Sequence, residues 1–131
     1  MKSAIVKGSE IKADEMKTME GNEAARGAFV KGLFIGEEMN ASIMEVTLPK
    51  GYRVPMHKHD HHSLGYTLKG RAKKIIQGGG EFLVEPGDVY YHPPGEVHTT
   101  WALEDYMEVE IKSPPATPWK KKLEKEQPAQ N

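Results

Sequence analysis

Six histidines carry most of the chemistry this chain could do, and all of them fall between positions 57 and 98. Four stand in one run, His57-Lys58-His59-Asp60-His61-His62. On an extended strand, side chains two apart share a face, so His57 and His59 project in parallel. Such a His-x-His pair is a bidentate metal claw, and a third imidazole from a distant strand would complete a site. His98, which follows the tight Pro93-Pro94-Gly95 loop at the start of a strand, is the distant candidate. Three neutral imidazoles leave the +2 charge of a divalent ion available as a Lewis acid. Open positions would then admit a bidentate oxygen ligand such as a hydroxyketone, an enediol or a carboxylate. Zn, Fe, Ni, Mn, Cu and Co all suit this shell, which does not choose among them. Metal binding needs neutral imidazoles, so affinity is expected to fall through about pH 6 to 6.5, where unperturbed histidines titrate. His92, placed before two prolines, is expected at a loop or rim. The absence of cysteine removes disulfides, thiolate zinc sites and a Cys nucleophile, and is consistent with a reducing cytoplasm.

The elements that must position these groups are short. Thirteen glycines and nine prolines punctuate 131 residues, a length suited to one domain. Residues 11–20 predict a two-turn helix ended by Gly21. From Gly27 onward the pattern turns to strands: 27–35, 41–48, 53–59 and 63–69, each bounded by glycine or proline. Residues 71–76 and 81–84 flank Gln77-Gly78-Gly79-Gly80, a hairpin turn. Val89-Tyr90-Tyr91 and residues 97–101 follow. Tyr106 to Lys112 alternates with period two, placing Met107, Val109 and Ile111 on one face, a register that turns Glu110 outward. Many short strands at even spacing predict a β-sandwich or barrel. Phe82, Tyr90, Tyr91, Trp101, Met44 and Met56 are expected as core or pocket wall. Arg53, at the same alternation as His57 and His59, is a candidate carboxylate binder.

Eighteen Lys and Arg balance nineteen Asp and Glu, which argues against nucleic acid or an anionic membrane surface as partner. No apolar run approaches the length of a membrane span, and the first seven residues carry no signal-peptide core. A cytoplasmic protein is the expectation.

Gly51-x5-His57-x-His59-x3-Ser63-x6-Gly70 resembles the first motif of the cupins. Gly87-x5-Pro93-x-Gly95-x2-His98 resembles the second. The resemblance implies an all-β fold: a single cupin antiparallel jelly-roll barrel with a short N-terminal helical or irregular segment, and a metal held between the motifs. The expected organisation is an N-terminal extension over 1–26, the barrel over 27–112 and a Pro/Lys-rich tail over 113–131, read as a solvated extension or a short terminal helix pinned by Trp119. Two positions depart from the pattern. The family's usual fourth ligand, Glu or Gln, falls on Ser63, and the closing Asn on Ala102. The shell is then three histidines with water, or it recruits His62 through a bulge, or His61 if the strand continues unbroken.

Tyr66 to Gly70, Ala102 to Asp105 and Ser113-Pro114-Pro115 resemble small cupins of the pectin-degradation type, which ketonise unsaturated uronates. That group's acid, aromatic wall and carboxylate-binding arginine fall on Glu110, Lys112 and Ala116, so the acid is kept while the other two are lost. The functional expectation is a metal-dependent isomerase or lyase acting on a sugar acid, hydroxyketone or similar small oxygenated compound. Glu110 would be the proton shuttle, with Arg53, Tyr90 and Trp101 at the substrate. The alternatives are a cupin dioxygenase and a non-enzymatic small-molecule-binding or sensor cupin. By resemblance a homodimer is expected, with Gly27–Ile35 as a candidate edge.

Overall fold

A computed structural model describes residues 3–115. The expectations on 116–131, Ala116 and Trp119 included, lie outside the described residues. A 3-10 turn at Gly8–Glu10 precedes eleven strands. They are β1 (Asp14–Glu15), β2 (Thr18–Met19), β3 (Asn22–Glu23), β4 (Phe29–Gly36), β5 (Ala41–Leu48), β6 (His62–Lys69), β7 (Ala72–Ile76), β8 (Gly80–Val84), β9 (Val89–His92), β10 (His98–Ala102) and β11 (Tyr106–Ser113). The strands from β4 onward follow the glycine and proline punctuation closely. The 11–20 segment does not form a helix. It is too short to bury an apolar helical stripe, and its backbone groups are used in sheet instead: Glu15 and Asp14 pair with Phe29 and Val30.

Two antiparallel sheets face one another. The larger has the order β1-β4-β5-β11-β6-β9, the smaller β10-β7-β8, and β2-β3 forms a separate hairpin. This is the expected jelly roll. Residues 51–57 extend the smaller sheet beside β10 through isolated bridges at Arg53↔Trp101 and His57↔His98. Pro55, which has no N–H to give, stands between the two bridges and interrupts the ladder. It also shifts the alternation. Tyr52 and Val54 are buried before it, whereas His57, His59 and His61 are buried after it.

The register sets inward-facing rows across the larger sheet. Ser42, Lys112, Ser63 and His92 form one row; Met44, Glu110, Gly65 and Tyr90 form the next; Val46, Glu108 and Thr67 form a third. Leu48 and Tyr106, paired and each about 1% exposed, close the sheet at its far end. The interior therefore grades along β11 from apolar at Tyr106 to charged at Lys112. In the first row small and large residues alternate, and in the second Gly65 stands between Glu110 and Tyr90, because neighbouring side chains on one face stand only about 5 Å apart. Gly65 is the sharpest case. A Cβ there would lie 2.0 Å from the Tyr90 ring, so glycine is what lets that ring lie inside the barrel. Gly70 closes β6 with φ +75, and a Cβ would meet the Asp105 carbonyl at 2.1 Å.

The outward face of the same sheet is unusually apolar. Leu64, Tyr66, Leu68, Val89, Tyr91 and Ile111 are all exposed. This corrects the expectation for β11. Its apolar stripe of Met107, Val109 and Ile111 belongs to the outer face, and Glu108, Glu110 and Lys112 point inward. The polar residues are tolerated inside because each has a partner there, as the site shows. Phe82, Tyr91 and Met56, expected as filling, are also exposed. No helix among the described residues is long and apolar enough to cross a membrane.

Candidate metal centre

The three histidines of the two motifs meet inside the barrel. His57 and His98 exchange both backbone hydrogen bonds, His57 N–H to His98 O at 3.0 Å and His98 N–H to His57 O at 2.8 Å. Directly opposed residues of an antiparallel pair send their side chains to one face, so this bridge brings the motifs together. His59 adds its ring at 4.5 Å from that of His57 and 5.5 Å from that of His98. One ligand atom from each of the three lies within 4.8 Å of the others.

Their second nitrogens are all engaged. His57 Nδ1–H donates to the Pro55 carbonyl at 2.6 Å, His98 Nδ1–H to the Glu96 carbonyl at 3.1 Å, and His59 Nδ1–H to Glu20 Oε1 at 2.8 Å. An imidazole whose Nδ1 donates in this way is fixed in one tautomer and presents Nε2 as a free lone pair. Burial keeps the three rings neutral. Desolvation lowers His57, and brings His59 to about 2 and His98 to about 3, with the Lys112 ammonium adding to the effect at His59. Neutral, convergent, pre-oriented imidazoles fit a first-row divalent ion. Burial also shifts the expected pH dependence: desolvation disfavours the charged form of all three rings, so proton competition for the site moves below the range of unperturbed histidines.

The position of the usual fourth ligand is instructive. Ser63 pairs with Lys112 on one side and His92 on the other. Lys112 Nζ fills the space that a longer side chain would take, donating to His61 Nε2 at 3.1 Å and to Ser63 Oγ at 3.3 Å, and lying 3.6 Å from the Glu110 carboxylate. His61 thus continues the inward alternation, stacked on His59 at 4.4 Å, but its Nε2 is occupied by Lys112. His62 does not turn inward. It is exposed and accepts a hydrogen bond from the Tyr91 hydroxyl at 2.6 Å, because the pairing of β6 runs without a register shift from His62 to Thr67.

His92 is inside rather than at a rim, since it follows Tyr90 on the inward face of β9. Its Nδ1–H donates to Glu96 Oε1 at 2.7 Å, and its buried Nε2 has no protein partner. His92, Glu96 and His98 form a second possible ligand group. However, the His92 ring lies parallel to His98 at 3.7 Å. An imidazole holds an ion in its own ring plane, so two rings stacked face to face cannot share one.

Glu110 lines the cavity, against its sequence-derived register. Burial alone would raise its carboxyl, but the Lys112 and Lys74 ammoniums outweigh it and bring the group to about 2. Behind it, Lys74 Nζ donates to Glu108 Oε1 at 2.7 Å and Thr100 Oγ1 at 3.0 Å, and stands 3.8 Å from the Tyr90 ring centroid. The Tyr90 hydroxyl donates to the other Glu108 oxygen. Tyr90 therefore lines the cavity. Arg53 and Trp101 do not. The phase shift at Pro55 turns Arg53 outward, where its guanidinium sits 4.0 Å over the Trp101 ring. The cavity is about 700 Å³, and its wall includes residues 14–21. Of the charges in its wall, Lys74 and Lys112 are balanced by Glu108 and Glu110, while Asp14, Glu15, Glu20 and Asp60 outnumber Lys17 toward the N-terminal hairpin.

Lys112, Glu108 and His92 share the faces of residues already singled out, so their period-two positions carried a signal. Lys74 and Glu20 carried none that sequence spacing could give.

A model of the cupin domain matches residues 44–111. Among curated proteins, dimethylsulfoniopropionate lyase DddQ of Ruegeria pomeroyi is 30% identical over 69 residues, covering 53% of this chain and 33% of that protein. The matched stretch is thus about a third of the relative's length. Two solved structures share the fold. KdgF from a Halomonas species superposes with a TM-score of 0.72 at 20% identity, over 89% of this chain and 98% of that one. A predicted oxalate decarboxylase from Thermotoga maritima gives 0.72 at 24% identity, over 84% and 98%.

Proposed function

Because the chain belongs to the cupin family, we propose that its cavity is the active site of a metal-dependent lyase or isomerase acting on a small oxygenated acid. The observation that carries this reading is the trio His57, His59 and His98, each with Nδ1 anchored, facing an ionised carboxylate at Glu110 in one cavity. A divalent ion held by His57, His59 and His98 would supply Lewis acidity, polarising a carbonyl or carboxylate oxygen and acidifying the adjacent C–H. Beside the histidines Lys112 and Lys74 offset Glu110 and Glu108, so a bound ion's +2 would be the uncompensated charge there and would favour an anionic substrate group at that spot.

The chain's own residues supply the rest. Glu110, held ionised by Lys112 and Lys74, receives the proton from carbon. Lys112, buried beside it, stabilises negative charge developing on oxygen. Tyr90, fixed by Glu108 and by the space at Gly65, forms the wall against which the substrate lies. In an isomerase the proton returns to a neighbouring carbon; in a lyase the carbon–leaving-group bond breaks instead. The match to a lyase favours the second course. Arg53 and Trp101 are left out of the proposed substrate contacts.

The test begins with protein purified untagged and without a metal column, analysed for metal beside His57→Ala and His98→Ala. About one equivalent in the parent, lost in both variants, is expected. A parent that takes up no metal after reconstitution would overturn the reading, and iron with oxygen consumption would redirect it to a dioxygenase. Glu110→Gln should then retain metal and lose turnover of small carboxylates to unsaturated products.

We also propose a homodimer, formed through the outer apolar face of β6 and β9 rather than through Gly27–Ile35. β4 pairs with β5 on one edge and with β1 only at Phe29 and Val30 on the other, and Phe29 is its exposed large apolar residue. The outer face offers Leu64, Tyr66, Leu68, Val89 and Tyr91 together, more apolar surface than isolated exposed residues account for. Sedimentation should show a dimer that Leu68→Glu dissociates; a parent that is monomeric at all concentrations refutes it.

A further inference from the structure

We infer that Glu20 is a positioning residue of the metal centre, through which the N-terminal hairpin holds His59 in its ligating tautomer. The inference rests on the metal reading above and reaches outside the cupin match at 44–111.

The anchors of the other two histidines are local. His57 uses the carbonyl of Pro55 and His98 that of Glu96, each two residues away. His59 instead takes a carboxylate at hydrogen-bond distance, and from 39 residues away, whereas the Glu96 carboxylate stands 3.7 Å from His98 Nδ1. That carboxylate sits at the tip of β2-β3, where Met19 pairs with Asn22 and only Glu20 and Gly21 make the turn. Both have positive φ, 49 and 82. Positive φ at both central positions is the type I′ geometry, in which Asn-Gly is the favoured pair and glutamate is an unfavourable occupant. Here the glutamate has a compensating contact. Its side chain is 47% exposed, yet it reaches His59, whose side chain is 6% exposed. The hairpin also walls the cavity, since residues 17–21 line it with the three histidines. A carboxylate behind a ligating imidazole fixes the tautomer and raises ligand basicity, and losing such a partner typically weakens metal binding 10–100-fold.

The turn geometry provides a test in which a structural role and the proposed role predict opposite outcomes. Asparagine suits the turn better than glutamate but is a methylene shorter and does not reach His59. If Glu20 only shapes the turn, Glu20→Asn should leave zinc affinity unchanged and the metal-free melting temperature equal or higher. On our inference Glu20→Asn binds zinc 10–100-fold more weakly, measured by competition with a chromophoric chelator, while the metal-free melting temperature does not fall. Glu20→Gln, which keeps an oxygen at the same reach without the charge, should lie between. Coupling is reciprocal, so zinc should slow tryptic cleavage after Lys17 in the parent and much less in Glu20→Asn. Parent-like zinc affinity in both variants, or equal protection of Lys17 in parent and Glu20→Asn, overturns the inference alone. A parent that takes up no zinc overturns the metal reading and this inference with it.

Discussion

Acidification of the metal-free protein should unfold it well above the pH at which its carboxylates titrate. The cause is the group of imidazoles kept neutral by burial. An unfolded histidine binds its proton near pH 6.5, whereas His59, His61 and His98 in the folded chain wait until about 2, about 4 and about 3. Between those limits the unfolded state carries more protons, so stability rises with pH and is lost as pH falls below about 6.5. At pH 5 each such histidine costs about 2 kcal/mol, from RT ln(1 + 10^1.5), and three cost about 6 kcal/mol. A domain of this size has on the order of 5–15 kcal/mol in total. His57 and His92, also lowered by burial, add to the loss. The assay is thermal melting of chelator-treated protein from pH 7.5 to 5, where a drop on the order of 20 °C is expected. His61→Gln should remove about 2 kcal/mol of the effect while leaving the three candidate ligands in place. A melting temperature that is level between pH 7.5 and 5 would refute the linkage, and with it the claim that these rings are buried neutral.

Lys74→Met should destabilise the fold by about 3–5 kcal/mol in urea titrations, because it leaves Glu108 charged and buried; Lys74→Met with Glu108→Leu should recover most of that loss, and a double variant as unstable as the single would refute the pairing. Gly65→Ala should cost about 1–3 kcal/mol or more, since Tyr90 is tied to Glu108 and cannot swing clear of the new methyl. Near-parent stability together with unperturbed Tyr90 resonances would refute that packing. Arg53→Ala should leave metal content unchanged and cost under about 1 kcal/mol, the scale of an exposed cation–π contact; lost metal would show that Arg53 reaches the cavity after all.

The strands were legible because glycine and proline mark nearly every turn, and the three central histidines because motif spacing alone places them. What sequence could not give was phase. One proline between Val54 and His57 reverses which parity points inward, so Arg53 and His57, four residues apart, face opposite ways. β11 misled for a different reason. Alternation identifies two faces but not which is core, and here the charged face is inside because Lys74, Lys112 and Tyr90 wait there to pair with it. Glu20 was invisible, since its partner lies 39 residues on and nothing local to a hairpin tip records it.

The grading of the interior along β11 has a kinetic consequence. With Leu48 and Tyr106 buried at one end of the sheet and the histidines gathered toward the other, the polar part of a small molecule should lie at the histidine end and its carbon skeleton toward Tyr106. Residence time should then follow how tightly the polar part is held. Compounds that reach the histidines share one place, so any two of them should displace one another in simple competition, reactant and product included.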